Sequence, residues 1–553
     1  MVGFFMGTSV FVIVEYVIKI LAIGIVPENR RPSSSAAWLL LILFLPIVGV
    51  PLFLMLGSPY VNRRRARIQA QANQLFEKGT DLLPTVPEAV TLSAELHGIV
   101  ELTRRLTELP MVTGINHGVE MGYEASIDRM TKLVASARET VHVEIYIVSR
   151  DETTEGFFAA LEDAVKRGVK VRVLLDHIGS RKYRGFRAML KCMTKAGIDW
   201  RLMLPFRPFR GKMRRIDLRN HRKLMVIDGR VAVMGSQNMI EAPYGSKRNR
   251  ELGRRWNDIT IELTGEIVSS LEAVFIVDWY AESGEIVDMH AYRGEGDADD
   301  AAQLLPTRHV PQWSVGGEVN AVQLIPSGPG FRTDPNLRAF NSLIYRAKRR
   351  LAIVSPYFVP DESLLAAITT AAYRGVTVEL YVSEVADQFM VDRAQSSYYQ
   401  ALLDSGVRIY LYPAPEVLHT KCFLVDDEIA VLGSSNMDMR SFGLNYEISL
   451  LAYGGDIVDQ VRDVIDEYAA LSSVLDAEEW PKRSMVRRYV ESVMRLTSAL
   501  QLVRIKSSFC SVRIAGGVVG SGRSVRDREV ALRRLRCLDL VQGGNGEVLS
   551  RYS

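Results

Sequence analysis

Two stretches of the 553-residue chain are copies of one another. The first reads His221-Arg222-Lys223-Leu224-Met225-Val226-Ile227-Asp228, with Gly235-Ser236-Gln237-Asn238 behind it. The second reads His419-Thr420-Lys421-Cys422-Phe423-Leu424-Val425-Asp426, with Gly433-Ser434-Ser435-Asn436 behind it. With each residue type near one position in twenty, a given His heads an H-x-K-x-x-x-x-D by chance about once in 400. One copy among eight His carries little weight. Two copies, each trailed by G-S-x-N at one distance, require an internal duplication, so any fold for this chain builds the same strand twice.

The flanking sequence repeats as well. An apolar, β-branched run (141–148 and 351–358) is followed by a helix ending at Arg167-Gly168 or Arg374-Gly375. A second strand (169–175 and 376–382), a helix ending at Ala196-Gly197 or Ser405-Gly406, another strand and the His/Lys strand come next. Glycine just past the last periodic residue suits a helix C-terminus. Strands alternating with helices predict an α/β fold. Two repeats result, 125–285 and 321–478, each a mixed sheet flanked by helices, the two sheets packed about a pseudo-two-fold axis. Residues 286–320, polar and acidic and then Pro-containing, read as the linker between them. Residues 479–503 read as an amphipathic helix against the core or a membrane surface. Residues 504–553, with Gly516-Gly517, Gly543-Gly544 and no sustained periodicity, read as a disordered tail or a stretch outside its natural frame.

Ahead of the repeats lie two apolar runs, about 3–26 and 36–56, long enough for a transmembrane hairpin. A cleaved signal peptide fits the first run poorly, because it lacks a basic leader and carries Glu15 and Lys19. Those two residues, four apart, share a helix face and can pair. Residues 59–124 form a basic juxtamembrane segment and a linker. Their cluster Arg63-Arg64-Arg65-Ala66-Arg67 places the catalytic domain in the cytoplasm by the positive-inside rule. It is either a topology signal alone or also a site for anionic head groups. The formal net charge of +4 does not suggest a nucleic-acid binder. The four cysteines have neither metal nor redox spacing, which fits a reducing, cytoplasm-facing location.

Side chains alternate along a strand, so His221 and Lys223 share one face, as do His419 and Lys421. Imidazole, ammonium and the amides of Asn238 and Asn436, with the hydroxyls of Ser236 and Ser434, predict a phosphate site doubled about the two-fold axis. The lysines supply the positive charge that developing oxyanions need, so the reading calls for no metal and no cofactor. Paired histidines across a phosphodiester suggest two-step, ping-pong transfer. One attacks phosphorus; the other protonates the leaving alcohol and later deprotonates the acceptor. Asp258 and Glu447 are the candidates for fixing the imidazole tautomers. Asp228, before Gly229, carries a hairpin-turn signal and reads as structural. The Arg/Lys-rich insertion 206–220 is either a basic lip over an anionic substrate or a solvated loop.

The duplicated motif resembles the phospholipase D superfamily. The two amino-terminal apolar runs, the Asn29-Arg30-Arg31-Pro32 turn and the Leu444-Asn445-Tyr446-Glu447 context resemble its bacterial cardiolipin synthase family, over about residues 1–501. The resemblance implies transfer of a phosphatidyl group between two phosphatidylglycerol molecules at a cell membrane, with release of glycerol. It carries over His221, Lys223 and Asn238 from the first half, and His419, Lys421 and Asn436 from the second. Asp228 and Asp426 match the motif aspartates and enter the catalytic set on that ground. Nucleophilic attack falls by the same implication to His221 and acid/base work to His419, though the order can be reversed. The expected partners are phosphatidylglycerol, other anionic phospholipid and the membrane, with no nucleic acid. A phosphodiesterase using water is the nearest rival. A nuclease and a non-catalytic scaffold are more distant ones.

Overall fold

The computed structural model describes residues 2–28, 32–57, 63–80, 84–88, 90–206, 215–287, 318–331 and 333–496. The tail 504–553, the linker centre 288–317, residues 207–214 of the basic insertion and the turn residues Asn29, Arg30 and Arg31 lie outside that set, as do the side chains of Arg63 and Arg64.

The first repeat supplies β1 (Met111–Glu120), β2 (Thr140–Ile145), β3 (Lys170–Asp176), β4 (Asp199–Met203), β5 (Lys223–Ile227), β6 (Val231–Gly235) and β7 (Thr260–Thr264). The second supplies β8 (Val319–Ser327), β9 (Arg350–Val354), β10 (Thr377–Ser383), β11 (Arg408–Tyr412), β12 (Cys422–Val425), β13 (Ile429–Gly433) and β14 (Asn445–Tyr453). With the two-residue strands Arg219–Asn220 and Ser473–Val474 they form one 16-stranded sheet, in the order β4-β3-β2-β5-β6-β7-β1-β8-β14-β13-β12-β9-β10-β11. The order reads the same from either end when each strand is exchanged for its counterpart, so the pseudo-two-fold passes between β1 and β8. Pairing is parallel among β2, β3 and β4 and among β9, β10 and β11. It is antiparallel around the motif hairpins β5–β6 and β12–β13.

The expectation of two separate sheets packed together is corrected here. β1 and β8 pair antiparallel, from Met111 opposite Gln323 to Ile115 opposite Val319, and join the halves edge to edge. β1 lies inside 59–124, read from sequence as linker. It carries Gly114, Asn116, His117 and Gly118 and lacks the alternation that marks a half-buried strand. Its place is set by neighbours on both sides. One core runs under both repeats: helices Ile267–Ser283 and Asp456–Leu471 bring Phe275, Trp279, Ile465 and Tyr468 against the apolar sides of the central strands.

The amino-terminal run is helical over Val2–Ile25, with Glu15 and Lys19 paired at 2.6 Å. The second run, expected as one helix, is divided into Pro32–Phe44 and Pro46–Leu52 and ends in a π-helical turn, Phe53–Gly57. Pro46 has no N–H for the helical ladder, which accounts for the break. No described helix is long and apolar enough to cross a membrane. The described apolar side chains are nevertheless largely exposed, among them Ile13, Tyr16, Ile20, Phe44, Leu45 and Ile47. The following helix, Arg63–Thr80, carries the basic cluster, and one member of it faces the protein instead of an anionic head group. Arg65 is buried, in salt bridges to Asp278 and to Glu282 at 2.8 Å, with its guanidinium over the Tyr446 ring.

Candidate active site

Each motif hairpin turns on its aspartate. Asp228 and Gly229 both have positive φ (50° and 55°), as do Asp426 and Asp427 (56° each), and the Arg230 and Glu428 N–H groups close the turns on Ile227 and Val425. That is the twist-matched two-residue turn of a β-hairpin. The Asp228 carboxylate accepts the N–H groups of Arg138, Glu139 and Thr140, at 2.8–2.9 Å. Asp426 takes those of Lys348, Arg349 and Arg350. Five strand residues, at about 3.3 Å each, separate Asp228 from the imidazole end of the motif. Placing Asp228 and Asp426 in the catalytic set is therefore corrected: they pin the hairpin to the start of the neighbouring strand.

At the other end the repeats exchange partners. Arg219–Asn220 runs parallel to Asn445-Tyr446 at the head of β14, and the His221 N–H donates to the Tyr446 carbonyl at 2.8 Å. Val417–Leu418 pairs with Trp256–Asn257 in the same manner, and the His419 N–H donates to the Asn257 carbonyl at 2.8 Å. Each imidazole then meets a carboxylate of the opposite repeat. His221 Nδ1 lies 3.0 Å from both Glu447 Oε2 and the Ser434 carbonyl. His419 Nδ1 lies 2.7 Å from Asp258 Oδ1. A carbonyl and an ionised carboxylate only accept, so Nδ1 carries the hydrogen and Nε2 presents a lone pair.

Ser236 and Ser434 do not face a phosphate, which corrects their assignment. Ser236 Oγ donates to Asp258 Oδ1 at 2.6 Å and accepts the Ile259 N–H. Ser434 Oγ donates to Glu447 Oε2 at 2.6 Å and accepts the Ile448 N–H. Both are fully buried and fix the carboxylates that fix the histidines. The glycine before each serine is required by backbone approach: a Cβ on Gly235 or Gly433 would stand 2.2 Å from the carbonyl of Ile259 or Ile448.

Lys223 Nζ donates to its own motif's His221 carbonyl at 2.6 Å, and Lys421 Nζ to that of His419. Burial, together with the Lys421 charge, pushes Lys223 down to about 7. Burial pushes Lys421 to about 8 against the pull of Asp258 and Glu447. Burial, with Lys421, takes His419 down to about 4 in spite of Asp258, and burial also lowers His221. Burial alone would raise the Asp258 carboxyl, but His419 and Lys421 hold it down to about 2, and His221 and Lys223 likewise keep Glu447 low. The resting pairs are thus neutral imidazoles on ionised carboxylates, beside two crowded lysines whose charged forms burial disfavours. Such a site gains most from an anion that restores the charge balance.

Asn238 uses Oδ1 on the Ile147 N–H and an amide hydrogen on Tyr244 Oη. Asn436 Oδ1 is buried and has no hydrogen-bond partner among the described residues. Tyr146, its ring 4.9 Å from that of His221, and Tyr244, 6.1 Å from His419, line the site without having been singled out in the sequence. Tyr146 follows β2 and Tyr244 lies in a turn, and lone tyrosines in such places carry no spacing signal. No group of three or more His, Cys, Asp or Glu among the described residues is arranged to hold a metal ion.

The sequence profile of the family described as "Cardiolipin synthase, PLD-like domain" matches residues 130–279 and 340–469, and that described as "Phospholipase_D-nuclease N-terminal" matches 16–58. The chain is 32% identical over 484 residues to a cardiolipin synthase of Geobacillus kaustophilus, covering 87% of this chain and 91% of that one. It is 31% identical over 481 residues to cardiolipin synthase A of Proteus mirabilis, covering 85% and 94%. Among solved structures, phosphatidylserine synthase of Haemophilus influenzae shares the fold, with a TM-score of 0.52, 15% identity, and coverage of 73% of this chain and 96% of that one.

Proposed function

The chain belongs to the cardiolipin synthase family of membrane-associated phosphatidyltransferases, and from that premise we propose that it joins two phosphatidylglycerol molecules through a phosphohistidine. The observation that carries the reading is the crossed pairing, His221 with Glu447 and His419 with Asp258, which leaves two Nε2 atoms free beside two buried lysines.

In the proposed cycle His221 Nε2 attacks phosphorus while the bond to the glycerol oxygen breaks, and Lys223 and Lys421 hold the phosphoryl oxygens. Asn436 and Asn238 bound the same pocket. His419 must be protonated to give its proton to the departing glycerol. An arriving phosphodiester anion favours that by offsetting the lysine charges that, together with burial, keep the imidazole neutral at rest. Glycerol leaves, the hydroxyl of a second phosphatidylglycerol gives its proton to His419 Nε2, and its oxygen displaces His221 from phosphorus. Cardiolipin departs and both imidazoles return to their first state.

The apolar runs about 3–26 and 36–56 serve in this reading as two membrane spans, with the body on the cytoplasmic side. Their exposed Ile13, Ile20, Leu45 and Ile47 support immersion in lipid. The test is quenching of the full chain in neutral denaturing detergent after brief mixing with acyl-labelled phosphatidylglycerol, because a histidine P–N bond is lost in acid. Label should remain on the protein, be released by neutral hydroxylamine, and be absent from His221→Ala; a labelled His221→Ala protein would assign attack elsewhere.

A further inference from the structure

Helix Met485–Leu496 is turned inside out relative to an ordinary surface helix. Its most buried residue is Glu491, 1% exposed, which takes Arg483 and Arg487 at 2.9 Å each. Arg495 lies over the Tyr398 ring, and Arg483 reaches Gln400, so the polar side is held to helix Phe389–Asp404. The outward side is apolar: Met485, Val486, Tyr489 and Leu496 are 77%, 73%, 72% and 86% exposed. Their spacings of three, four and seven put them on one face.

A second apolar patch, Val385, Phe389 and Met390, opens the helix to which this one is fastened. Between its members, Asp387 and Gln388 bond the Tyr357 hydroxyl at 2.9 Å, and the Asp387 charge acts on Lys421. The patch therefore lies near the reaction centre, whose histidines are only 8% and 5% exposed. Arg488, also exposed, borders the stripe. An apolar stripe edged by an arginine, beside a site whose substrate is lipid, is complementary to the boundary layer of an anionic bilayer.

We propose that helix Met485–Leu496, with Val385, Phe389 and Met390, is a second membrane contact that lays the mouth of the site on an anionic phospholipid surface. It rests on the lipid-substrate reading above and adds where the substrate enters. The amino-terminal runs tether the chain, and this face sets its orientation.

The experiment uses the full chain reconstituted in vesicles of phosphatidylethanolamine with or without phosphatidylglycerol, the acyl chains brominated or not. Tyr489→Trp should add emission that brominated lipid quenches, more so with phosphatidylglycerol present. In a second variant, Val486→Glu combined with Tyr489→Glu, turnover of bilayer phosphatidylglycerol should fall roughly tenfold, while turnover of a soluble short-chain phosphatidylglycerol is unchanged; tenfold corresponds to about 1.4 kcal/mol of lost surface binding. Absence of quenching, or equal turnover of both variants on bilayers, overturns the proposal. So does emission already shielded in detergent and released by the double substitution, which would mean a second copy or the carboxy-terminal segment covers the helix. Quenching without turnover of either lipid keeps the membrane contact and removes the enzymatic reading instead.

Discussion

Arg65 sets its guanidinium 4.3 Å from the ring centre of Tyr446, the residue immediately before the carboxylate that holds His221. Arg222, between the motif His and Lys, lies on the same ring, and both arginines share Asp278. The helix that follows the amino-terminal apolar runs is thus fastened directly behind the reaction centre. Removing one partner of such a buried network leaves carboxylates without their counter-charge.

Arg65→Ala should therefore cost about 3 kcal/mol of stability and lower turnover in the protein that remains folded. Thermal unfolding and kcat measured on the same preparation check this. An unchanged melting temperature would mean that solvent replaces the arginine without loss.

The crossed carboxylates make a separate expectation. Asp258→Asn and Glu447→Gln keep the shape but can no longer fix the Nδ1–H tautomer, so each should reduce kcat by a factor on the order of 10²–10⁴ with a modest effect on folding. Steady-state assays of the two variants, with circular dichroism as the folding control, read this out. Wild-type rates from either would remove that carboxylate from the mechanism.

Asp228→Ala should behave oppositely. Three N–H groups lose their acceptor, for a loss of about 2–4 kcal/mol, while kcat per folded molecule stays near the wild-type value. Denaturant titration beside an active-site count separates the two effects.

The buried lysines give a pH dependence of unusual sign. Lys223 is pushed down to about 7 in the folded protein, while an unfolded lysine stays near about 10.4. Between those values the unfolded chain binds more protons, so this group makes the anion-free protein more stable as pH rises through that window. An oxyanion binds the charged form. The increase in melting temperature given by tungstate should be largest below pH 7 and fade toward pH 9. An increment that grows with pH would contradict the assignment of the lysines to the anion site.

Much of this was legible because the duplication doubled every signal. The repeats and the turn at Asp228-Gly229 follow from matching offsets, whereas Asp258 and Glu447 stand at unequal distances behind their motifs and were picked out only as the carboxylates that come next after an Asn. The serines were misread because G-S-x-N says only that a hydroxyl is near the motif; which atom it faces depends on Gly235 and Gly433 letting β7 and β14 approach. β1 escaped notice because its burial comes from neighbours 140 or more positions away, as the pairings of Glu120 with Thr260 and of Thr113 with Ala321 illustrate. Arg65 was read only as part of a basic cluster, a topology signal or also a head-group site, because its counter-ions, Asp278 and Glu282, are equally remote in sequence.

The most direct measurement is to incubate membranes holding the protein, or its His221→Ala variant, with labelled phosphatidylglycerol and no nucleotide-activated lipid, and then to separate the products. The two-histidine transfer predicts cardiolipin and glycerol in equal amounts from the wild type and neither from the variant. Phosphatidic acid as the main product would make water the acceptor and contradict the account.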